Sequence, residues 1–337
     1  MKLKIAIIGC GAMGKYHARQ WQSRDDAKVA AVFDPVAGAR DALAKEMSAP
    51  AYDNFRGAID HKGIDAVSIC TPMPFHREIA CYAAQRGRHI LCEKPIAGTI
   101  EDADAMIDAA ERHGAWLTIG HQYREWPRNK RIKELYDGGS LGSPLMARYE
   151  TVAEVRPKTA MHRMSMNQGP VLDLSAHWFD LMRFFTGAEL VSVYASANVF
   201  GRGKPRLAQV ADDDFAPDAA EVQARFEGGH VLSIGVIWGM PEGFPGFGRE
   251  QIVGPKGVVH AQDAQTEVLL GRDQRETVPP TGGEPAPRIA DLVNAIRTGT
   301  PPRVTGRDGR EAVRGCLAAL ESIRSGKVVE LSVPKVG

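Results

Sequence analysis

The segment "KIAIIGCGAMG", residues 4–14, joins a short apolar run to a glycine-rich turn near the start of the chain. Gly9, Gly11 and Gly14 form the pattern G-x-G-x-x-G, and a helical stretch follows at once. In a βαβ unit the first glycine permits a tight turn, the second lets the backbone approach a pyrophosphate, and the third lets the helix pack on the strand. Free N–H groups and the helix dipole then face the phosphates. The predicted contacts of this turn are Gly9, Gly11, Ala12, Met13 and Gly14.

An acidic residue closes the second predicted strand, which covers residues 29–34. Asp34 stands 20 residues after Gly14. A carboxylate at this point accepts hydrogen bonds from the adenosine ribose hydroxyls and repels a 2′-phosphate. We therefore expect a dinucleotide cofactor, NAD in preference to NADP. A plain strand–helix turn in which Asp34 caps the helix is the alternative.

The first 121 residues alternate apolar strands with amphipathic helices. Strands that are apolar on both faces are typical of a parallel sheet covered by helices on both sides. After the first two, the predicted strands are residues 66–70, 89–92 and 116–120. The predicted helices are residues 12–24, 35–47, 74–86 and 100–113. This order predicts an α/β domain over residues 1–121, with a doubly wound parallel sheet.

The pattern changes after residue 121, where β-rich runs follow one another. The turns "EGGH" and "GPKG" between these runs are typical of hairpins, which predicts an antiparallel sheet. The other predicted elements are a helix at 171–185, a loop "PPTGGEPAP" at 279–287, helices at 286–298 and 307–325, and a strand at 328–331. Residues 122–337 are therefore predicted to form a second, α+β domain. Its last helices are expected to pack back on the first domain.

Composition and charge are typical of a globular protein with two domains. The chain has 337 residues, of which 44% are hydrophobic and 25% charged. Its formal net charge of +1 provides no basic field for nucleic acid. The apolar run at the start breaks at Gly9, so we expect neither a signal peptide nor a membrane span there. Five scattered cysteines without zinc-site spacing predict reduced thiols in a cytoplasmic protein.

The stretch "ILCEKPIAG", residues 90–98, places charge at the end of a buried strand. In an open parallel sheet, ligands bind beyond the carboxyl ends of the strands. Lys94 lies at such an end, and Pro95 restricts the backbone beside it. The stretch "TPMPFH", residues 71–76, follows another strand in the same way. We expect Lys94 to act where the nicotinamide lies, and a solvated lysine in a surface loop is the alternative.

In this order, G-x-G-x-x-G, an acid closing the second strand, "TPxxxH" and "EKP" resemble the glucose–fructose oxidoreductase/inositol dehydrogenase (Gfo/Idh/MocA) family. The resemblance implies an N-terminal Rossmann domain and a C-terminal domain with an open, mostly antiparallel sheet. It also implies a motif D-x-G-x-H-x-x-D on the first long helix of the second domain. The segment "VLDLSAHWFDLMRFF", residues 171–185, matches this motif, with Ser175 in place of the glycine. Asp173, His177 and Asp180 fall at positions i, i+4 and i+7 and share one helical face.

The resemblance implies that Lys94, Asp173 and His177 are the catalytic group, and their chemistry agrees. Oxidation of a secondary alcohol removes the hydroxyl proton as the C–H bond cleaves, and a histidine suits that task. Asp173 would orient the imidazole or hold a neighbouring hydroxyl, and Lys94 would donate to the reacting oxygen.

Further contacts follow from the same resemblance. The implied cofactor contacts are Thr71, Pro72, His76, Glu93 and Lys94. The implied substrate contacts are Tyr123, Arg124, Arg163, Asp173 and His177. Ordinary salt bridges are the alternative for both arginines.

The sequence thus indicates an NAD(P)-dependent oxidoreductase acting on a CH–OH group of a sugar, cyclitol or related polyol. A reductase of a non-sugar carbonyl or imine and a non-catalytic dinucleotide sensor are the alternatives. The acidic run at 212–214 lacks a partner motif, so no metal is expected. The expected partner is a small-molecule substrate, with neither nucleic acid nor membrane. Because "HVLSIGVIW" is apolar on both faces, we expect a homo-oligomer, dimer or tetramer, formed through the C-terminal sheet.

Overall fold

The chain divides into two units, and each draws on a segment near the end of the sequence. The computed structural model describes residues 2–262, 265–270, 274–278 and 287–332. The first unit comprises Met1–His121 and Glu284–Arg310, and the second comprises Gln122–Gly283 and Glu311–Gly337. Residues 279–286 of the predicted loop lie outside the described ranges, and Pro287 already begins a helix.

A six-stranded parallel sheet forms the first unit. Its strands are β1 (Leu3–Ile8), β2 (Ala27–Phe33), β3 (Ala51–Tyr52), β4 (Ala66–Ile69), β5 (His89–Cys92) and β6 (Leu117–Ile119). Their order is β3-β2-β1-β4-β5-β6, so the strand order reverses between β1 and β4. Open α/β sheets bind ligands at such a reversal, beyond the carboxyl ends of the strands. The predicted doubly wound parallel sheet is confirmed.

The helices of the first unit supply the apolar residues that cover its sheet. They are α1 (Ala12–Gln22), α2 (Ala37–Met47), α3 (Phe55–Ile59), α4 (His76–Gln85), α5 (Ile100–Arg112) and α9 (Pro287–Thr298). Leu292 and Val293 of α9 pack in one cluster with Ile5 of β1 and Trp21 of α1. Sequence analysis predicts neither β3 nor α3, because two and five residues are too few to show a periodic pattern.

A nine-stranded sheet forms the second unit. Its strands are β7 (Met146–Glu154), β8 (Leu190–Asn198), β9 (Ala219–Phe226), β10 (Val231–Met240), β11 (Phe247–Gly254), β12 (Gly257–Gln262), β13 (Gln265–Leu270), β14 (Gln274–Val278) and β15 (Val329–Glu330). Their order is β14-β13-β12-β11-β7-β10-β9-β8-β15. Every neighbouring pair in that order is antiparallel except β7 with β10. The predicted mostly antiparallel sheet is confirmed, and the β7–β10 pair makes it mixed.

The second unit contains helices α6 (Pro127–Asp137), α7 (Gly169–Asp173), α8 (Ser175–Thr186) and most of α10 (Gly306–Ser325). The prediction of one continuous helix over residues 171–185 is wrong, because α7 and α8 meet at Leu174. There the N–H of His177 donates to the Leu174 carbonyl, three residues back, which tightens the backbone. Gly315 of α10 lies so close to α8 that a Cβ there would be 2.4 Å from Phe179 Cδ1.

The described residues contain neither a membrane-spanning helix nor a cluster of metal-ligating side chains. No helix there has the length and apolar character that crossing a membrane requires. Nor do three His, Cys, Asp or Glu side chains of those residues converge where they could hold a metal ion.

Candidate active site

In the glycine turn between β1 and α1, two of the three glycine positions have no room for a side chain, and the third does. Gly9 has φ +98°, in the left-handed region, and a Cβ there would lie 2.8 Å from the Cys70 backbone. A Cβ on Gly14 would lie 1.8 Å from the Gly9 carbonyl oxygen, so the chain itself requires both glycines. Gly11 is the N-cap of α1, and around its Cβ position the described residues leave 4 Å of open space beyond its chain neighbours.

The open side of the turn fits the pyrophosphate of a dinucleotide. Among the described residues no side chain caps the N-terminus of α1, so its first N–H groups are left for a ligand. The absent Cβ of Gly11 leaves the space that a phosphate needs to approach the backbone. The residues present therefore fit the predicted cofactor contacts of this turn.

Asp34 is bonded to the same turn from the end of β2. Its Oδ2 accepts a hydrogen bond from the Cys10 N–H at 2.7 Å, and its Oδ1 accepts one from the Val36 N–H at 2.8 Å. Val36 is the N-cap of α2, so Asp34 is not the capping residue of that helix, and the predicted cofactor contact of Asp34 stays a prediction. Burial and the Asp34 charge raise the pKa of the Cys10 thiol to about 12, so the thiol stays protonated. The carboxylate stands beside the open turn as an acceptor.

The loop after β5 begins with a buried carboxylate. Glu93 Oε1 accepts hydrogen bonds from His17 Nε2 at 2.9 Å and from Arg288 Nη1 at 3.0 Å. Ser68 Oγ lies 3.2 Å from His17 Nδ1 and accepts from Trp21 Nε1 at 2.9 Å. Burial alone would raise the pKa of Glu93, but the His17 hydrogen bond and the Arg288 charge outweigh burial and hold it well below its usual range. The predicted cofactor contact of Glu93 stays a prediction, since its carboxylate is engaged within the first unit.

His76 joins the loops that follow β4 and β5. The His76 residue is 1% exposed, with Nε2 2.9 Å from the Thr71 carbonyl oxygen and Nδ1 3.0 Å from the Pro95 carbonyl oxygen. Burial lowers the pKa of His76, although the hydrogen bonds to these carbonyls oppose that shift. Lys94 is half-buried in the second loop, and its peptide bond to Pro95 is cis. His76 therefore holds the loop of Lys94 against the loop of Thr71 and Pro72.

In the second unit, His177 lies in a column of three rings formed with Tyr123 and Trp126. Tyr123 is stacked on the His177 imidazole, with centroids 3.9 Å and planes 8° apart. Trp126 is stacked on Tyr123, with centroids also 3.9 Å apart. Asp173, one turn before His177, is 6% exposed, and its Oδ1 accepts a hydrogen bond from Asn167 Nδ2 at 3.1 Å. The structure thus gathers three of the predicted residues, Tyr123, Asp173 and His177, within the second unit.

Arg124 forms a buried ion pair with Asp180 of α8. Its Nε and Nη2 donate to the two Asp180 carboxylate oxygens at 2.8 and 2.5 Å. The guanidinium also lies 5.3 Å from the centroid of the Phe184 ring. This is the salt bridge that sequence analysis left open for Arg124, and the substrate contact of Arg124 stays a prediction.

Arg163 forms a more exposed ion pair. Its Nε donates to Asp214 Oδ2 at 2.5 Å, and 41% of its side chain is exposed. Asp214, the last acid of the run at 212–214, also accepts hydrogen bonds from the N–H and hydroxyl of Ser165. The predicted substrate contact of Arg163 stays a prediction.

Neither partner of Glu93 is indicated by a sequence motif. His17 lies on α1, three residues after Gly14, and this position beside the glycine motif is the sequence feature that could have pointed to its role. Arg288 lies 195 residues from Glu93 and has no local signal. A Cβ on Gly120 would lie 3.0 Å from both the Arg288 guanidinium and the Glu93 carboxylate, so this glycine leaves room for the pair.

Comparisons with known proteins cover both units. The model of the oxidoreductase family GFO/IDH/MocA, NAD-binding Rossmann fold, matches residues 3–121, and the model of the GFO/IDH/MocA C-terminal domain matches residues 129–260. The chain is 27% identical to myo-inositol 2-dehydrogenase of Thermotoga maritima, over 98% of each chain. It is 26% identical to scyllo-inositol 2-dehydrogenase (NAD(+)) of Bacillus subtilis, over 99% of this chain and 98% of that one.

A solved structure shows the same fold. The aldose-aldose oxidoreductase from Caulobacter crescentus, complexed with glycerol, is 25% identical and superimposes with a TM-score of 0.84 over 98% of this chain and 100% of that chain. The two family models span the glycine turn and Lys94 in the first unit, and Asp173 and His177 in the second. The chain therefore belongs to the GFO/IDH/MocA family of oxidoreductases, with the NAD-binding Rossmann fold of that family in its first unit.

Proposed function

We propose that the chain is an NAD-dependent dehydrogenase that moves a hydride between the cofactor and a CH–OH group of a sugar, cyclitol or related polyol. The observation that carries the proposal is the intact set Lys94, Asp173 and His177 in a chain whose phosphate turn is open at Gly11. A dinucleotide sensor has no need of a buried imidazole one turn after a carboxylate. The two curated relatives named as inositol dehydrogenases support the substrate class.

The proposed catalytic residues have separate roles in removing the hydroxyl proton and in stabilising the charge on the reacting oxygen. Bound NAD supplies a nicotinamide ring that accepts the hydride from carbon. His177 takes the hydroxyl proton as general base. Lys94 donates a hydrogen bond to the reacting oxygen and stabilises its alkoxide character. Asp173 orients the substrate through a neighbouring hydroxyl.

The proposed binding contacts follow from the positions of these side chains. The glycine turn binds the pyrophosphate, Asp34 accepts from the ribose hydroxyls, and the loops of Thr71–Pro72 and Lys94 bind the nicotinamide end. The hydrogen bonds of Glu93 and His76 support a role in holding those loops. The proposed substrate contacts, besides the catalytic residues, are Tyr123, Arg124 and Arg163.

The proposal is tested by following NADH formation at 340 nm. The purified protein is incubated with NAD or NADP and a panel of inositols, aldoses, sugar acids and linear polyols. We expect turnover with one stereochemical group of these compounds and a higher kcat/KM with NAD. No turnover by a protein that still binds NADH would contradict the proposal and favour a carbonyl or imine reductase, or a sensor.

Replacing Asp34 with asparagine is expected to lower kcat/KM for NAD by about 10- to 100-fold, because hydrogen bonds to a charged acceptor contribute roughly 1.5–3 kcal/mol. The amide oxygen can still accept from the Cys10 N–H of the turn, but the amide NH2 cannot accept from the Val36 N–H, so that second hydrogen bond is lost. Loss of the negative charge should also narrow the preference for NAD over NADP. Asp41→Asn, at an exposed position of α2, is the matched control. An unchanged cofactor preference in Asp34→Asn would contradict the role of Asp34.

We further propose that the protein assembles through the face of the second-unit sheet opposite α7 and α8. Glu150 of β7 and Glu221 of β9 both stand opposite Gly235 of β10, beside a cavity of about 560 Å³. Burial and the Glu150 charge raise the pKa of Glu221. Arg148 and Arg249 line the same cavity, so a second copy related by a two-fold axis would be complementary in charge.

Analytical ultracentrifugation is expected to show a dimer or tetramer near neutral pH. Glu221→Arg should shift the protein toward monomer, because it brings positive charge where arginines of a second copy would bind. Glu78→Arg, at an exposed position of α4, should leave the assembly unchanged. A wild-type protein that sediments as a monomer would contradict this mode of assembly.

A cytoplasmic location is also proposed. All five cysteines are free, and Cys10, Cys92 and Cys316 are buried. Burial and the Glu93 charge raise the pKa values of the Cys70 and Cys92 thiols, which keeps them protonated. Free thiols are typical of proteins in reducing compartments. Recovery of the protein outside the cytoplasm on cell fractionation would contradict this location.

A further inference from the structure

The ring column of Trp126, Tyr123 and His177 covers both faces of the tyrosine. Both neighbouring rings have centroids 3.9 Å from that of Tyr123. Two rings this close to one face would overlap, so they lie on opposite faces. The Arg128 guanidinium lies 4.9 Å from the Trp126 ring centroid and donates to Glu250 Oε1 at 2.6 Å. The tryptophan of the column therefore contacts an ion pair, and the imidazole lies on the opposite face of the tyrosine.

We infer that Tyr123 is a positioning residue for His177, which fixes the plane of the imidazole and stabilises the imidazolium formed when His177 accepts the substrate proton. The inference rests on the proposed function for the proton transfer that it assigns to His177. It adds a role that the catalytic motif does not contain, because Tyr123 lies outside that motif in the sequence.

The geometry explains why the imidazole needs this support. The second side-chain torsion of histidine has a broad, two-fold energy profile, so the ring plane is not set by rotamer preference alone. A parallel ring 3.9 Å away restricts rotation about that torsion. His177 is 2% exposed, and burial disfavours the charged imidazolium. The electron-rich face of a phenol ring opposes that penalty, since it attracts a cation placed over it.

The same geometry limits what else Tyr123 can do. With a ring on each face, Tyr123 has no free face on which a sugar ring could stack, and its edge and hydroxyl are what a substrate can reach. Burial raises the pKa of Tyr123, so the phenol stays neutral over the pH range of a dehydrogenase assay. Its own titration therefore does not enter the pH profile. The charged groups of the surrounding elements that stay unchanged in every variant below include Asp173, Arg124, Glu125, Asp180, Arg183, Arg128 and Glu250.

The test compares Tyr123→Leu, which removes the aromatic ring, with Tyr123→Phe, which keeps it. For Tyr123→Leu we expect kcat to fall about 10-fold, with an unchanged Kd for NADH. Loss of the ring lowers the pKa of His177, so the acidic limb of the kcat/KM profile should move to lower pH by about half a unit to one unit. Tyr123→Phe should keep kcat at saturating substrate within about 3-fold and the acidic limb within about 0.2 units of wild type, whereas loss of its hydroxyl, a proposed substrate contact, is expected to raise KM. Trp126→Leu, a milder change to the column, should shift the limb in the same direction by less.

A second readout does not depend on turnover. The His177 pKa is measured by NMR on protein labelled at histidine, with its signal assigned by its loss in His177→Gln. A lower His177 pKa in Tyr123→Leu, together with a wild-type value in Tyr123→Phe, supports the inference even for a protein that oxidises no polyol in the panel. In that case the proposed function fails and the inferred stabilisation of the imidazolium stands. An unchanged His177 pKa and pH profile in Tyr123→Leu overturns the inference, as does an equal loss of kcat in Tyr123→Leu and Tyr123→Phe, which would assign the effect to the phenol hydroxyl.

Discussion

Replacing His177 with glutamine is expected to lower kcat by about 10²- to 10⁴-fold, the usual contribution of a general base. Glutamine keeps a polar side chain of similar size in the buried site, but its amide cannot accept the substrate proton. The affinity for NADH should stay unchanged, because the cofactor turn and Asp34 belong to the first unit. Steady-state kinetics at saturating NAD gives kcat, and titration of NADH fluorescence gives Kd.

Two further variants make this result interpretable. His113→Gln changes an exposed histidine after α5 and should leave kcat unchanged. Lys94→Ala should abolish turnover with NADH binding retained, because it removes the proposed donor to the reacting oxygen. A wild-type kcat in His177→Gln would show that His177 is not the general base. Unchanged turnover in Lys94→Ala would contradict the role proposed for the lysine.

Replacing Glu93 with alanine is expected to lower the free energy of unfolding by about 3–5 kcal/mol, as removal of one partner of a buried ion pair does. Arg288 is 7% exposed and would be left as an unpaired buried cation. His17 would lose its acceptor at the same time. Urea denaturation followed by circular dichroism measures the change. The double variant Glu93→Ala/Arg288→Met should recover most of the loss, because it leaves no uncompensated charge.

An exposed ion pair of the same unit provides the control. Arg56 and Glu78 are paired at 2.7 Å, but more than half of each side chain is exposed. Glu78→Ala should therefore change the free energy of unfolding by less than about 1 kcal/mol. Equal losses in Glu93→Ala and Glu78→Ala would show that the buried network does not stabilise the fold.

The Glu93 carboxylate is also expected to make the free energy of unfolding depend on pH. The pKa of Glu93 is lower in the folded chain than in the unfolded chain, so folding is favoured by its ionised form. Its contribution is fully present above the unfolded pKa of about 4.3 and is lost as the pH falls toward the folded value. The difference in unfolding free energy between wild type and Glu93→Ala should therefore be constant near neutral pH and shrink below about pH 4.

Much of the fold is encoded in patterns that span only a few residues. The glycine spacing in residues 4–14 predicts a strand, a turn and a helix, and the structure has β1 and α1 in those places. Apolar strands alternating with amphipathic helices predict the doubly wound sheet, which is confirmed. The motifs at the strand ends indicate an NAD-binding oxidoreductase family, and the family is also confirmed.

Other features of the fold have no local signal. Helix α9 packs in the first unit although it follows eight of the nine strands of the second sheet in the sequence. Strands β7 and β10 pair in parallel although the hairpins between other strands predict an antiparallel sheet. The helix breaks at Leu174 although the amphipathic pattern continues through that position. The backbone tightens there, and no proline or glycine at Leu174 indicates the break in the sequence.

Local sequence patterns alone identify the glycine turn, the acid after β2, the lysine after β5 and the four-residue spacing of Asp173 and His177. The first three depend on residues within one strand, turn or helix of one another, whereas Asp173 and His177 lie on two successive helices, α7 and α8. The partners of the buried charged side chains, in contrast, depend on how distant segments pack together. Arg288 reaches Glu93 across 195 residues and Arg124 reaches Asp180 across 56. Burial makes an unpaired charge costly, so each buried charge must find a partner, but which distant group supplies it depends on how the whole unit packs.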